Sequence, residues 1–99
     1  ISMEAFRAHC AAFQIEPALR ASLAECSQGQ RRKFYLSLAL ARRGGLLVLD
    51  EPTNHLDPAA VEYLSAQLDA YAGTLLLCTH DARFAAAAGI NRHFKLEGD

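Results

Sequence analysis

The sequence predicts an α/β fold in which parallel strands are flanked by helices. Two short aliphatic runs, Leu46 to Leu49 and Thr74 to Cys78, each directly follow a glycine and are typical of strands in a parallel sheet. The stretches between and around them carry apolar residues at helical spacing, so helices and strands alternate along the chain. With 99 residues, the chain has room for one small domain.

The first predicted element is an amphipathic helix between Ser2 and Phe13. Its apolar stripe consists of residues three or four positions apart: Met3, Phe6, Cys10 and Phe13. Ser2 can cap the helix, and Pro17 interrupts the pattern that follows. A second, brief helical turn is expected to lead to Glu25.

A longer helix is predicted over residues 28–43. Ser27 and Gln30 have the spacing of a capping box, in which each side chain satisfies a free backbone N–H at the helix start. Gly44 and Gly45 are expected to end this helix. The run Arg31-Arg32-Lys33 within it predicts a solvated basic face.

The remaining elements follow in the same alternation. The run Leu46 to Leu49 is short and wholly aliphatic, which predicts a strand buried on both faces, and Thr74 to Cys78 predicts a second buried strand. Asp57 and Pro58 form an N-cap and a first-turn proline, so a helix is expected from there toward Gly73. After the second strand we expect a short helix over residues 82–88 and a third strand over residues 92–96.

Composition excludes several classes of protein. Ten Lys and Arg against eleven Asp and Glu give a net charge of −1, which excludes a surface that is basic throughout. No apolar run approaches the roughly 20 residues that span a bilayer, and no secretory signal is recognisable. Cys10, Cys26 and Cys78 lack metal-ligand spacing, so we interpret them, with His9, as packing residues of a cytoplasmic protein.

Two adjacent carboxylates, Asp50 and Glu51, follow the first strand. Ligands of α/β proteins bind at the carboxyl edge of the sheet, which is where these side chains should lie. Alternation along an extended strand would send them in opposite directions and suit them to different tasks. Asp50 could hold Mg2+, and Glu51 could orient a water for attack on phosphorus.

Three segments in fixed order carry a family resemblance. Residues Asp50 to Asp57 read Asp-Glu-Pro-Thr-Asn-His-Leu-Asp, which resembles the Walker B motif and D-loop of ATP-binding cassette (ABC) ATPases, and of the ABC-F subfamily in particular. Residues 26–30 are similar to the ABC signature, and residues 78–84 resemble the switch-histidine loop. Cys26 and Gln28 depart from the usual Leu-Ser-Gly-Gly-Gln wording. The resemblance implies a partial P-loop NTPase fold.

The resemblance also implies roles for individual residues. Glu51 and His80 would be catalytic, the first acting on the attacking water and the second donating a hydrogen bond to the γ-phosphate. Asp50 would bind Mg2+. The segment that would contact ATP across the interface with another cassette comprises Ser27, Gln28, Gly29 and Gln30, and Asp57 would join it from the D-loop. Without the resemblance, a capped surface helix and a structural histidine explain the same residues.

One family motif is absent from the sequence. The phosphate-cradling loop has the form G-x-x-x-x-G-K-[ST], and neither Lys33 nor Lys95 stands in such a context. By resemblance, residues 1–25 are the end of a helical subdomain and residues 26–99 the C-terminal half of an ATPase core truncated on its N-terminal side. Alone, the chain is expected neither to bind ATP tightly nor to hydrolyse it.

Three alternatives remain for the full protein. In the first, it is a soluble ABC-F ATPase that pairs two cassettes, in cis or in trans, and acts on the ribosome. In the second, it is the ATP-binding subunit of a transporter with a transmembrane partner. In the third, the cassette is a non-catalytic dimerisation module.

Overall fold

Helices and strands alternate through the described part of the chain as the sequence predicts. The structure, a computed structural model, describes residues 2–15, 23–42 and 44–91. The helices are α1 (Met3–Ala12), α2 (Gln28–Leu40), α3 (Pro58–Asp69) and α4 (Ala82–Ala87), and the strands are β1 (Leu46–Asp50) and β2 (Thr74–Cys78). A 3-10 turn at Leu23–Glu25 precedes α2. The third strand predicted over residues 92–96 and the interruption at Pro17 lie outside the described residues.

The predicted helix starts are confirmed by their hydrogen bonds. The Ser2 hydroxyl accepts from the Ala5 N–H at 3.1 Å. At α2, the Ser27 hydroxyl accepts from the Gln30 N–H at 3.1 Å, and Oε1 of Gln30 accepts from the Ser27 N–H at 2.9 Å. These bonds satisfy donors that have no partner within the helix, so the local sequence alone fixes where each helix begins.

The predicted end of α2 at residue 43 is wrong by three residues. The helix ends at Leu40, and Ala41 is its C-cap. The N–H of Arg42 already reaches back only three residues, to the Ala39 carbonyl at 3.3 Å, so the α-helical ladder has closed before the glycines. Gly44 and Gly45 have φ values of 59° and 78° and form the connection to β1.

The two strands pair in parallel, as predicted, with Leu46 opposite Thr74 and Asp50 opposite Cys78. The connection between them contains α3, as parallel pairing requires. The first bond of the ladder runs from the Thr74 N–H to the Gly45 carbonyl at 2.8 Å. Gly73 lies so close to that carbonyl that a side chain at residue 73 would collide with it. This contact fixes the register at the start of both strands.

The expectation that the two strands are buried is wrong for the described residues, because each strand has one exposed face. Leu47 is 3% exposed, but Leu46 and Val48 on the opposite face are 55% and 56% exposed, and Leu76 on β2 is 54% exposed. Side chains alternate across a strand, so this pattern means that the described helices cover only one face of the sheet. An aliphatic run predicts an apolar strand, but it does not predict which elements cover the two faces of that strand.

The core lies between the covered face of the sheet and the helices. Phe13, Leu64 and Phe84 are at most 3% exposed, and Tyr63 joins the edge of this cluster. The Tyr63 hydroxyl lies 2.7 Å from Nδ1 of His9, and the Phe13 ring packs edge-on against Tyr63 at 5.0 Å. These contacts attach α1 to α3.

The interpretation of the cysteines as packing residues is correct for Cys10 and Cys26, which are 0% and 6% exposed. It is wrong for Cys78, which is exposed at the end of β2. The exposed side of β2 is part of the uncovered sheet face, which explains this difference.

None of the helices in the described ranges is long and apolar enough to cross a membrane.

Candidate functional site

The carboxyl edge of the sheet brings together residues that are far apart in the sequence. Asp50 and Cys78 end their strands side by side. The Glu51 N–H then donates a 2.7 Å hydrogen bond to the Cys78 carbonyl. The backbone turns at Glu51, whose φ of 45° is in the left-handed region that non-glycine residues rarely occupy. Strand alternation therefore ends at Asp50 and does not set the direction of the Glu51 side chain, contrary to the prediction from an extended strand.

Glu51 and His80 meet at this edge. The His80 N–H donates to Oε1 of Glu51 at 3.1 Å, and Nε2 of His80 lies 3.6 Å from the same oxygen. The Glu51 side chain is 28% exposed, whereas the His80 side chain is 98% exposed. A carboxylate held by a backbone amide, with an accessible imidazole beside it, can orient a water and offer a hydrogen-bond donor to an anion.

Asp50 is exposed at the same edge and suits one ligand position of Mg2+. The described ranges contain no group of three or more His, Cys, Asp or Glu side chains that could enclose a metal ion. Mg2+ does not need such a cage, because it usually binds one or two carboxylates and completes its shell with water and phosphate oxygens. A single exposed carboxylate after a strand therefore fits this ion.

The predicted nucleotide-contact segment, Ser27 to Gln30, is the N-terminus of α2. Ser27 and Gln28 are exposed. The capping box occupies the Ser27 hydroxyl as an acceptor and Oε1 of Gln30. The hydroxyl hydrogen of Ser27 and the amide hydrogens of Gln30 remain to donate. Together with the positive end of the helix dipole, these donors favour an anion.

Gly29 is needed for a contact within the protein. A Cβ at residue 29 would lie 2.7 Å from the His55 carbonyl oxygen, which is closer than such atoms approach. The loop at His55 therefore approaches the backbone of α2 closely because residue 29 has no side chain. His55 itself has a φ of 66°, and no sequence signal pointed to this contact.

Lys33 and Asp57 form an ion pair that the sequence did not predict. Nζ of Lys33 lies 2.8 Å from Oδ1 of Asp57, and the Lys33 side chain is 16% exposed. The expectation of a solvated basic face is therefore wrong at Lys33, since the D-loop segment covers it. The hydrogen bond from Lys33 lowers the pKa of Asp57 below its ordinary value, which keeps this carboxylate charged. The predicted N-cap is also present, with Oδ2 of Asp57 accepting from the Ala60 N–H at 3.4 Å.

The exposed side of α2 borders an open groove, next to the Gly29–His55 contact and the Lys33–Asp57 ion pair. It is lined by Gln28, Arg31, Arg32, Tyr35 and His55, of which the two arginines are positively charged. The signature-like segment and the D-loop segment thus form one continuous surface. The sheet edge with Glu51 and His80 lies at the other end of the loop that follows β1.

Comparison with known proteins identifies the family of the chain. The family model described as "AAA domain, putative AbiEii toxin, Type IV TA system" matches residues 16–86. The tylosin resistance ATP-binding protein TlrC of Streptomyces fradiae is 53% identical over 66 residues, which are 67% of this chain and 12% of that protein.

Two further relatives come from Bacillus subtilis. The uncharacterized ABC transporter ATP-binding protein YfmR is 41% identical over 73 residues, which are 74% of this chain and 11% of that protein. The ribosome protection protein VmlR is 43% identical over 60 residues, which are 61% of this chain and 11% of that protein. The chain thus spans about a tenth of the length of these relatives. No solved structure is significantly similar to it.

Proposed function

The chain belongs to the AAA/ABC-type ATPase domain family, and we propose that it forms the C-terminal half of an ATPase cassette in a longer protein that binds and hydrolyses ATP. In this proposal residues 1–25 are the end of a helical subdomain, and residues 26–99 carry the signature, Walker B, D-loop and switch-histidine segments. The ATP hydrolysed is held between two cassettes.

The observation that carries the proposal is the contact between Glu51 and His80. Twenty-eight residues separate them in the chain, yet both lie at the carboxyl edge of the sheet. The backbone N–H and Nε2 of His80 both lie near Oε1 of Glu51. The hydrogen bond comes from the His80 backbone N–H, so it holds the carboxylate and leaves the imidazole exposed beside it. A fixed carboxylate next to an accessible imidazole supports a site that orients water beside a phosphate.

In the proposed mechanism, Glu51 aligns the attacking water and His80 binds the phosphate. The free Oε2 of Glu51 accepts a hydrogen bond from the attacking water and aligns it, while Oε1 stays bonded to the His80 N–H. The exposed imidazole of His80 donates to a terminal phosphate oxygen, where negative charge accumulates during transfer. Mg2+ held by Asp50 would supply charge neutralisation at the phosphates when bound.

The segment Ser27 to Gln30 serves the composite site of the opposite cassette. Its free donors lie on a different element from the sheet edge, at the N-terminus of α2. A chain of this sequence has no phosphate-cradling loop of the form given above, so most of the binding free energy for ATP must come from elsewhere in the full protein. The 99-residue chain by itself is therefore inactive.

The ABC-F assignment has two supports. The Thr53-Asn54-His55 wording of the D-loop segment resembles that subfamily, and one similar protein is named a ribosome protection protein. On this reading the full protein is cytoplasmic, and its partners are a second cassette and the ribosome. Another similar protein is named an ABC transporter ATP-binding protein, which supports a transmembrane subunit as the alternative partner. Sedimentation of the full-length protein with ribosomes or with membranes distinguishes the two.

The test of the proposal is Glu51→Gln in the full-length protein. The amide keeps the size of the side chain and an oxygen for the His80 N–H but removes the negative charge that aligns the water. We expect ATP binding to persist while turnover falls by about 100-fold or more, and two cassettes to remain closed on ATP. Glu62→Gln, an exposed glutamate on α3, is the matched control. Unchanged hydrolysis by Glu51→Gln would remove Glu51 from its role.

A further inference from the structure

The ion pair between Lys33 and Asp57 connects two segments to which the proposed function gives different tasks. Lys33 lies on α2, one turn after the signature-like segment, and Asp57 ends the loop that begins at Glu51. Nζ of Lys33 lies 2.8 Å from Oδ1 of Asp57. The Lys33 side chain is 16% exposed and the Asp57 side chain is 52% exposed, so the pair is shielded on the lysine side only. Its length is that of a charge-assisted hydrogen bond.

A second contact holds the same loop at the same helix. The His55 carbonyl lies against Gly29, where a Cβ would be only 2.7 Å away. The loop from Glu51 to Asp57 is therefore attached to the first two turns of α2 at two points. Its other end is attached to the β2 side of the sheet through the bonds of Glu51 to Cys78 and His80. The left-handed backbone at Glu51 and His55 shows that this loop is held away from its relaxed shape.

We propose that Lys33 is a positioning residue for ATP hydrolysis. Its ion pair with Asp57 holds the loop that carries Glu51 in a fixed place relative to the signature-like segment. The inference rests on the proposed function, because it concerns the efficiency of the same site. Lys33 touches neither nucleotide nor water in this scheme and acts through Asp57.

The two carboxylate oxygens of Asp57 have different partners, so the ion pair with Lys33 can be removed without removing the cap of α3. Oδ1 of Asp57 binds Lys33, while Oδ2 caps α3 through the Ala60 N–H. Loss of the lysine leaves the helix cap in place, and Pro58 at the first helical position still favours the helix start. Removing Lys33 should thus release one of the two attachments of the loop to α2 without unfolding α3.

The test compares Lys33 variants of the full-length protein in steady-state ATP hydrolysis. We expect Lys33→Met to lower kcat by about 5- to 20-fold, the size of a typical coupling between sites, while the KM for ATP changes by less than about threefold. Lys33→Arg, which keeps the charge and the donor, should restore most of kcat. Arg42→Met is the matched control, because it removes an equal charge from an exposed position just after the same helix. Melting temperatures separate a kinetic effect from unfolding.

A double-mutant cycle identifies the partner through which Lys33 acts. Asn is a good N-cap, so Asp57→Asn keeps the start of α3 and removes the charge that Lys33 binds. In the Asp57→Asn background, Lys33→Met should have no further effect on kcat. Additive effects of the two changes overturn the proposal, as does a normal kcat for Lys33→Met or a loss explained entirely by a lower folded fraction.

Glu51→Gln, measured in parallel, separates this inference from the proposed function. If Glu51→Gln is inactive and Lys33→Met is normal, only the role of Lys33 is wrong. If Glu51→Gln hydrolyses ATP normally, the assignment of the site itself is wrong.

Discussion

The His80 N–H donates a 3.1 Å hydrogen bond to Oε1 of Glu51, so a backbone atom of one loop holds the carboxylate of another. The imidazole of His80 is 98% exposed and is not needed for this bond. Residue 80 therefore contributes two separate groups. Its backbone N–H, which any residue except proline provides, holds Glu51, and its side chain faces solvent.

We expect His80→Ala to lower hydrolysis in the full-length protein without displacing Glu51. The backbone donor remains, and only the imidazole hydrogen bond to the phosphate is lost. Loss of one such donor corresponds to a fall in kcat of about 100-fold. The check is kcat together with ATP affinity and the melting temperature. An unaltered kcat for His80→Ala would contradict the assigned side-chain role.

Mg-ATP titrated into the 99-residue chain should give no measurable heat of binding at micromolar concentrations. The sequence lacks the glycine-rich loop and lysine that cradle phosphates, and a helix N-terminus with a few side-chain donors supplies too little to replace them. Isothermal titration calorimetry is the measurement, with the full-length protein as the positive control. Micromolar binding by the chain alone contradicts the interpretation.

Gly29→Ala should destabilise the chain although alanine is the better helix former. Helix propensity favours alanine by about 1 kcal/mol, but the new Cβ meets the His55 carbonyl. Overpacking of this kind costs about 1–3 kcal/mol, so the free energy of unfolding in urea should fall. Gln28→Ala, at an exposed position in the same turn, is the control. A stabilised Gly29→Ala variant would mean that the loop moves away from α2 at little cost.

Leu64→Ala and Leu46→Ala should differ sharply in stability. Leu64 is fully buried between the helices and the sheet, whereas Leu46 is 55% exposed on β1. Truncation of a buried leucine costs about 2–5 kcal/mol, and the exposed one should cost less than about 1 kcal/mol. Urea unfolding of the two variants makes the comparison. Equal losses would indicate that the second face of the sheet is covered.

Acidification below neutral pH should reduce stability through His9. Burial lowers the pKa of His9 below its ordinary value of 6.5, against the opposing effect of a hydrogen bond to the Leu40 carbonyl. The unfolded chain therefore takes up this proton first as the pH falls through 6.5, and the free energy of unfolding decreases until the folded state is also protonated. His9→Gln should show a flatter dependence between pH 7.5 and pH 5.5 in urea unfolding. An identical slope in both proteins would exclude His9.

Local sequence signals predicted the parts of the fold that depend on neighbouring residues. The capping box of Ser27 and Gln30, the cap at Asp57 and the parallel strand pair depend on contacts within a few positions or on a clear apolar pattern. Glu51 and His80 each follow a predicted strand of the parallel pair, which accounts for their meeting at one edge of the sheet.

Contacts between distant segments were not predictable in the same way. Lys33 stands in a run of basic residues that looks like a solvated face, and nothing in its neighbours indicates Asp57 as a partner. Gly29 belongs to the segment that resembles the ABC signature, where the expected contact is with ATP, so its contact with the His55 carbonyl could not be inferred. The exposed face of β1 depends on which helices cover the sheet, which the aliphatic run does not encode.

The close contact of Gly73 with the Gly45 carbonyl imposes a rule on segment length. Both strands start at this contact and both have five residues, so their ends arrive at the sheet edge together. One residue inserted into a single strand would advance its end by about 3.3 Å, more than a hydrogen bond between Glu51 and His80 can tolerate. An insertion in both strands would keep them together. Matched spacing of the two segments, rather than residue identity alone, is therefore what a functional variant of this domain must preserve.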